Sequence, residues 1–424
     1  MTLSLKAQLA LAGLWSLAVI GAAIAQIIWF TRPVAPQGDA AAFEAHLTET
    51  LTQGAGHQFG SATAALIQGG SVKVASGFGS ATPSGEPPDP EETLYQMASV
   101  SKLVTTWGVM TLVRDGAIDL DAPASTYLSR WQFPASEFDT EAITVRRLLS
   151  HTAGLGDGFG YAGFLPDEPL QTLEESLTRT QDPVTGEPRG VTVTQPPGKG
   201  LRYSGGGYTV LQLLIEEVSG LPFADYMNQA VLQPLGMSAS SFDWRQAEGR
   251  GTLATNYNTD LNPSPHRRYT AAAAASLYAT TQDMAILVQA YSGNPVLDPA
   301  TVAQMTAPQP DTADIFGLGH LLYVKTAAGG YVVGHDGLNL PALNHMVRVN
   351  PATGNGIVVM VSGSQTLASQ LGDDWVYWET GKRTADALVR QGLARLPLIG
   401  VAIALGIAVI IGLPQAIQIF AKAT

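Results

Sequence analysis

From Ala40 to Thr52 the positions Phe43, His46, Leu47 and Leu51 fall three and four apart, which predicts an amphipathic helix. Ser61 to Gln68 reads as a strand, Gly69-Gly70 as a hairpin turn and Val72 to Ala75 as the return strand. Pro83 to Pro90 reads as a loop. Ser101 to Arg114 is helix-like, with Leu103, Trp107, Met110 and Val113 on adjacent turns and Asp115-Gly116 as its stop. From about residue 118 to 310 the pattern is mostly helical. Leu211 to Val218 and Phe223 to Val231 are amphipathic, and the stretches 156–200 and 240–270 are long loops rich in Gly, Pro, Asp and Asn. Strand-like runs return at Gly319 to Lys325, Tyr331 to Gly334, Leu343 to Val349 and Gly356 to Val361, with Gly329-Gly330 and Gly354-Asn355-Gly356 where hairpin turns belong. Strands at both ends and helices between them predict an α+β or α/β arrangement, with one sheet closed by the two ends of the domain. No internal repeat is visible.

The ends of the chain carry a different pattern. No charge interrupts the run between Lys6 and Arg32, nor the run between Arg395 and Lys422. Each exceeds the roughly 20 residues that cross a bilayer. Ala23-Ile24-Ala25 fits a signal-peptide cleavage site, but Ile27-Ile28-Trp29-Phe30 continues the apolar run past it, which favours an uncleaved anchor. The expected organisation is an N-terminal transmembrane anchor over 1–32, a catalytic domain over 33–385 and a C-terminal transmembrane helix over 386–424.

Composition agrees: 46% of the 424 residues are hydrophobic and only 14% charged. A net charge of −12 without a Lys/Arg-rich run argues against nucleic acid as a partner. The absence of cysteine excludes disulfides, thiolate metal sites and a cysteine nucleophile. The histidines form no spaced cluster, so neither a metal nor a cofactor is expected.

Three stretches carry chemistry. In Tyr95-Gln-Met-Ala-Ser99-Val-Ser-Lys102-Leu, Ser99 and Lys102 are three apart and share one helix face. A serine hydroxyl becomes nucleophilic when a neighbouring base takes its proton, and a lysine amine can do so. The same pattern also fits an ordinary helix N-cap. The second stretch, Arg202-Tyr203-Ser204-Gly205-Gly206-Gly207, puts a phenol before a glycine turn, where it could relay a proton. The third, Val333-Gly334-His335-Asp336-Gly337-Leu338, lies on a late strand. There His335 could carry positive charge or donate a hydrogen bond to substrate or to the tyrosine. Adjacent strand residues face opposite ways, so His335 and Asp336 cannot both belong to one triad with Ser99.

In this order the three stretches resemble the serine β-lactamase and penicillin-binding-protein superfamily, particularly its class C-related branch with D-aminopeptidase, D,D-carboxypeptidase and family VIII esterase relatives. Leu148-Leu-Ser-His151-Thr-Ala-Gly-Leu155, Pro197-Gly198 ahead of Tyr203-Ser204, and Ser276-Leu-Tyr-Ala-Thr-Thr-Gln-Asp-Met284 resemble further signatures of that branch. The likeness runs from about residue 41 to 380. It implies an antiparallel sheet flanked by helices plus a mainly helical region, on the extracytoplasmic face of a membrane. That sidedness rests on the resemblance, since the flanking charges are indecisive. It also implies an acyl-enzyme hydrolase. Ser99 would be the nucleophile, Lys102 and Tyr203 the coupled base, and the backbone N–H groups of Ser99 and Leu338 the oxyanion hole. His335, Gly337 and Gly205 would lie against a small-molecule, peptide or lipid-linked substrate.

Two positions depart from the family pattern. The family motif Tyr-Ser-Asn ends here in Gly205, which is expected to leave Lys102 short of a partner and a substrate amide short of a donor. Such a site favours esters over amides, or, as the alternative, a decayed binding module. The usual Gly-Gly before the last signature is replaced by Ala274-Ala275. The resemblance implies a structural role for His151, away from the nucleophile.

Overall fold

The structure, a computed structural model, describes residue 21 and residues 34–156, 163–179 and 190–390. Both apolar terminal segments expected to span a membrane lie essentially outside the described residues. Among the described residues no helix is long and apolar enough to cross one.

Six strands form one antiparallel sheet: β1 (Ser61–Gln68), β2 (Ser71–Gly79), β3 (Leu321–Lys325), β4 (Tyr331–Asn339), β5 (Leu343–Asn350) and β6 (Asn355–Ser362). Their order across the sheet is β3-β4-β5-β6-β1-β2, so the first hairpin of the domain pairs with its last strand, as the strand pattern predicts. Gly69 and Gly70 both adopt positive φ at the β1–β2 turn, the conformation for which glycine carries no Cβ penalty. The helices that matter here are α1 (Ala40–Gly54), α2 (Val100–Arg114), α3 (Gly205–Ser219), α4 (Thr281–Ala290) and α5 (Leu367–Thr380).

The sheet is covered on both faces. Ala62, Ala64 and Leu66 of β1 pack with Ile357, Val359 and Val361 of β6 against Phe43, Leu47 and Leu51 of α1 and Trp375 of α5. The alternate residues Ala65, Ile67, Val358 and Met360 face Trp107 and Met110 of α2 and Met284 of α4. Burial on both faces explains why β1 and β6 read as almost continuous apolar runs, while the equally buried β5 also carries Asn344, His345, Arg348 and Asn350. The period of two also fixes the parity of β4. Val333 belongs to the α2 side and Val332 to the α5 side, so His335 and Gly337 turn toward α2 while Asp336 turns away.

Two elements escape the pattern in the sequence. Thr93–Gln96 is a buried strand of four residues that pairs on both sides, with Thr252–Leu253 and with Tyr278–Ala279. The amphipathic stretch after Phe223 continues as one π-helical turn, Asn228–Leu232. Four residues are too few for a periodic signal, and both partners of the buried strand are remote in sequence.

Candidate active site

The turn after the short strand carries the nucleophile candidate. Met97 N–H donates to the carbonyl of Leu277 (2.7 Å), and Ala98 holds a φ of +47°, a left-handed conformation that costs a non-glycine residue about 1–2 kcal/mol. The chain then enters α2 with Ser99 at the N-cap. The Ser99 side chain makes no capping hydrogen bond, which removes the ordinary explanation for a serine at a helix start. Its Oγ instead meets Lys102 Nζ at 3.1 Å.

Lys102 is 3% exposed and donates also to the carbonyl of Ala274 (2.9 Å), in the short helix Ala272–Ala275. That carbonyl can only accept, so one N–H of the amine is directed at it while the same nitrogen stays within hydrogen-bond distance of Ser99 Oγ. The expectation that Gly205 leaves the lysine short of a partner is therefore corrected. A backbone oxygen from the Ala-Ala stretch binds it, and Gly205 is buried as the first residue of α3. Thr105 Oγ1 donates to the neighbouring Ala273 carbonyl (2.9 Å) and fixes the same helix against α2.

Tyr203 lies with its ring 5.1 Å from Lys102 Nζ and is 44% exposed, so it stands between the lysine and solvent. Its position is set by the residues around it. Ser204 caps α3, its Oγ accepting from Gly207 N–H (2.8 Å). Ser204 N–H donates to His151 Nδ1 (3.1 Å), Arg202 N–H donates to the His151 carbonyl (2.7 Å), and the His151 ring lies under Tyr203 at 4.2 Å between centroids. His151 thus belongs to the site and is not remote from it, which corrects the position inferred from the resemblance. Accepting at Nδ1 places its proton on Nε2. Burial, with Lys102 and His335 adding to it, lowers its pKa well below the ordinary histidine value and keeps the ring neutral.

His335 is 2% exposed and its ring lies 6.1 Å from that of Tyr203. Burial first, and the Lys102 charge second, push its pKa down to about 3. The ring is neutral, so the expected positive charge is absent. Its Nδ1–H is held by the Asp336 carbonyl (2.6 Å), which leaves the buried Nε2 as an acceptor and corrects the expectation of a donor there.

Gly337 is required by close packing. A Cβ there would stand 2.4 Å from the Met97 carbonyl oxygen and 3.4 Å from Ala98 Cβ. The strand therefore presses directly on the turn that holds Ser99. Gly337→Ala is expected to destabilise the fold by about 1–3 kcal/mol through this overpacking and to lower kcat more than it raises KM. Wild-type kinetics in that variant would show that the contact is dispensable. Beyond Gly334, where pairing with β3 ends, residues 335–339 remain paired with β5 but have no strand partner on the β3 side among the described residues, and Leu338 is 54% exposed there.

Asp336 faces the other way. Arg348 Nη2 donates to both its oxygens (2.9 Å each), Ser369 Oγ to Oδ1 (2.8 Å) and Tyr323 OH to Oδ2 (2.8 Å). Burial alone would raise its pKa; the Arg348 charge and these bonds overcome that and hold it below the usual carboxylate range. Asp336→Asn leaves Arg348, 1% exposed, with an uncompensated charge. The expected loss is about 3–5 kcal/mol of stability, measured by urea unfolding, with kcat retained in the folded fraction.

A family model described as Beta-lactamase matches residues 42–382, and the chain belongs to that family of serine hydrolases. Penicillin-binding protein 4* of Bacillus subtilis (strain 168) is 29% identical over 192 residues, covering 45% of this chain and 39% of that protein. Esterase EstB of Burkholderia gladioli is 29% identical over 194 residues, covering 42% of this chain and 44% of the esterase. The chain therefore spans less than half the length of either relative. The octameric penicillin-binding protein homologue from Pyrococcus abyssi superposes with a TM-score of 0.67 at 22% identity, covering 84% of this chain and 82% of that one, and shares the fold.

Proposed function

We propose that this protein is a membrane-anchored serine hydrolase that opens an ester, amide or β-lactam-type carbonyl through a covalent acyl-Ser99 intermediate. The observation that carries the reading is the 3.1 Å contact between buried Lys102 Nζ and a Ser99 Oγ that serves no helix cap.

Ser99 Oγ attacks the carbonyl carbon and its proton passes to the Lys102–Tyr203 pair, which returns it to the leaving group. The backbone N–H groups of Ser99, at the N-terminal end of α2, and of Leu338, on the open edge of β4, stabilise the oxyanion. Water then enters by the same route and releases the acid. His335 Nε2 accepts a hydrogen bond and orients either Tyr203 or the substrate. Esters suit the site better than amides, because Gly205 offers no side-chain donor to an amide carbonyl and an alkoxide leaves more readily than an amine. The relative named an esterase supports the same preference.

A fluorescent phosphonate and a labelled penicillin, each followed by peptide mass spectrometry, test the reading. An adduct on Ser99 is expected with at least the phosphonate; folded protein that takes neither label overturns it. The membrane attachment and the extracytoplasmic placement rest on the two uncharged apolar runs and on the family resemblance. A topology reporter fused at residue 40 is expected to report the extracytoplasmic side, and a cytoplasmic signal would reverse that assignment.

A further inference from the structure

Large hydrophobic side chains rarely stand in water in clusters without a partner. Nine are exposed among the described residues, and six of them lie on segments that carry or contact residues of the site: Leu165, Leu201, Tyr203, Ile315, Leu338 and Leu340. Each is tied to the site by contacts of its own segment. Leu338 and Leu340 extend β4 just past Gly337, which packs on the nucleophile turn. Tyr203 lies beside Lys102, with Leu201 two residues before it. Ile315 precedes Phe316, whose ring meets those of His151 at 4.9 Å and His335 at 6.3 Å. Leu165 follows Phe164, which pairs with Arg268; the next residue, Tyr269, accepts from Asn339 Nδ2 (2.9 Å) beside Leu340.

The polar groups of the site add to this. His335 is neutral, and Lys102 is buried and turned to Ser99 and Ala274. Neither presents an exposed cation to a carboxylate on the substrate; the exposed Arg202, between Leu201 and Tyr203, is tethered through Nε to the Leu155 carbonyl (3.1 Å).

We infer that the apolar rim formed by these six side chains seats a lipophilic acyl chain, and that the substrate is an uncharged carboxylic ester of a medium or long acyl group. The inference rests on the acyl-serine reading above. In the reaction the Ser99 Oγ–acyl bond forms as the ester C–O bond breaks, the serine proton leaves with the alcohol, and water restores Ser99 and releases the fatty acid. The chain would lie along Leu338 and Leu340 while the carbonyl sits over Ser99.

Burying a methylene fully is worth about fourfold in affinity, and one seated on a half-open rim about twofold. The kcat/KM for p-nitrophenyl esters is therefore expected to rise roughly tenfold from butanoate to octanoate, measured below the micellar concentration. In Ile315→Ser and Leu340→Ser the octanoate-to-acetate ratio should fall several-fold. A glycerol octanoate ester held in phosphatidylcholine vesicles, compared with the dispersed ester, distinguishes a bilayer source of the acyl chain from a soluble one. Phosphonate labelling of Ser99 with a flat or falling chain-length profile would overturn this inference and leave the hydrolase reading standing. No label and no turnover of any ester would overturn both.

Discussion

Replacing Ser99 with alanine is expected to lower ester turnover by roughly ten-thousand-fold or more, equivalent to at least about 5 kcal/mol of transition-state stabilisation. The size follows from what is lost. Without Oγ there is no acyl acceptor, and what remains is the binding of substrate and the polarisation of its carbonyl. The fold should hardly notice the change, because the Ser99 side chain caps no helix and its contact of note is with Lys102. Thermal unfolding of Ser99→Ala should therefore match the parent closely while turnover and phosphonate labelling both vanish. Turnover at the parent rate would sink the assignment of Ser99. A large loss of stability would show instead that the turn depends on the hydroxyl.

Acidification is expected to unfold the domain steeply below about pH 6, well above the range in which surface carboxylates titrate. Four buried histidines are responsible. His335 and His345 are pushed down to about 3, His320 to about 4, and His151 well below the ordinary value, in each case chiefly by burial. In the unfolded chain all four take up protons near pH 6.5. Between that value and their folded values the unfolded state binds more protons, so stability falls as the pH falls. Each group contributes about 1.4 kcal/mol per pH unit. Four such groups together can remove several kcal/mol by pH 5, against a total of about 5–15 kcal/mol for a typical domain. Asp283, whose pKa burial raises, works in the opposite sense, but it is one group against four. Asp336, held low by Arg348, adds to the loss only at still lower pH. Urea unfolding from pH 8 to pH 4.5 measures the slope, and His345→Asn should reduce it by about one proton. A stability that stays level from pH 7 to pH 5 would show that these rings are charged or solvated in the folded protein.

Much of this was legible in the chain. The six sheet strands and helices α1 and α2 follow from periodicity and glycine turns, because a strand buried on both faces and a helix with one apolar stripe leave strong local patterns. Ser99, Lys102, Tyr203 and His335-Asp336-Gly337 were visible as chemistry, and the period of two already separated His335 from Asp336. Roles that depend on distant neighbours were not visible. Nothing near Lys102 in sequence announces the Ala274 carbonyl, because any residue carries a carbonyl and only the fold selects which one reaches the amine. Nothing in Leu-Leu-Ser-His-Thr shows that His151 lies under Tyr203, 52 positions on. The charge state of His335 was misjudged for the same reason: its pKa is set by burial and by Lys102, and both are properties of the packed molecule.

By itself, then, the sequence determined the six strands of the main sheet and helices α1 and α2, which residues could do chemistry and that neighbours on β4 face opposite ways, since these depend on local periodicity and side-chain type. The tertiary structure alone decided that Ser99 is free of its capping duty, that a backbone oxygen holds the lysine and that both site histidines are neutral. Each of these depends on groups brought together across loops of tens to hundreds of residues, where desolvation and contact exist only once the chain has closed on itself.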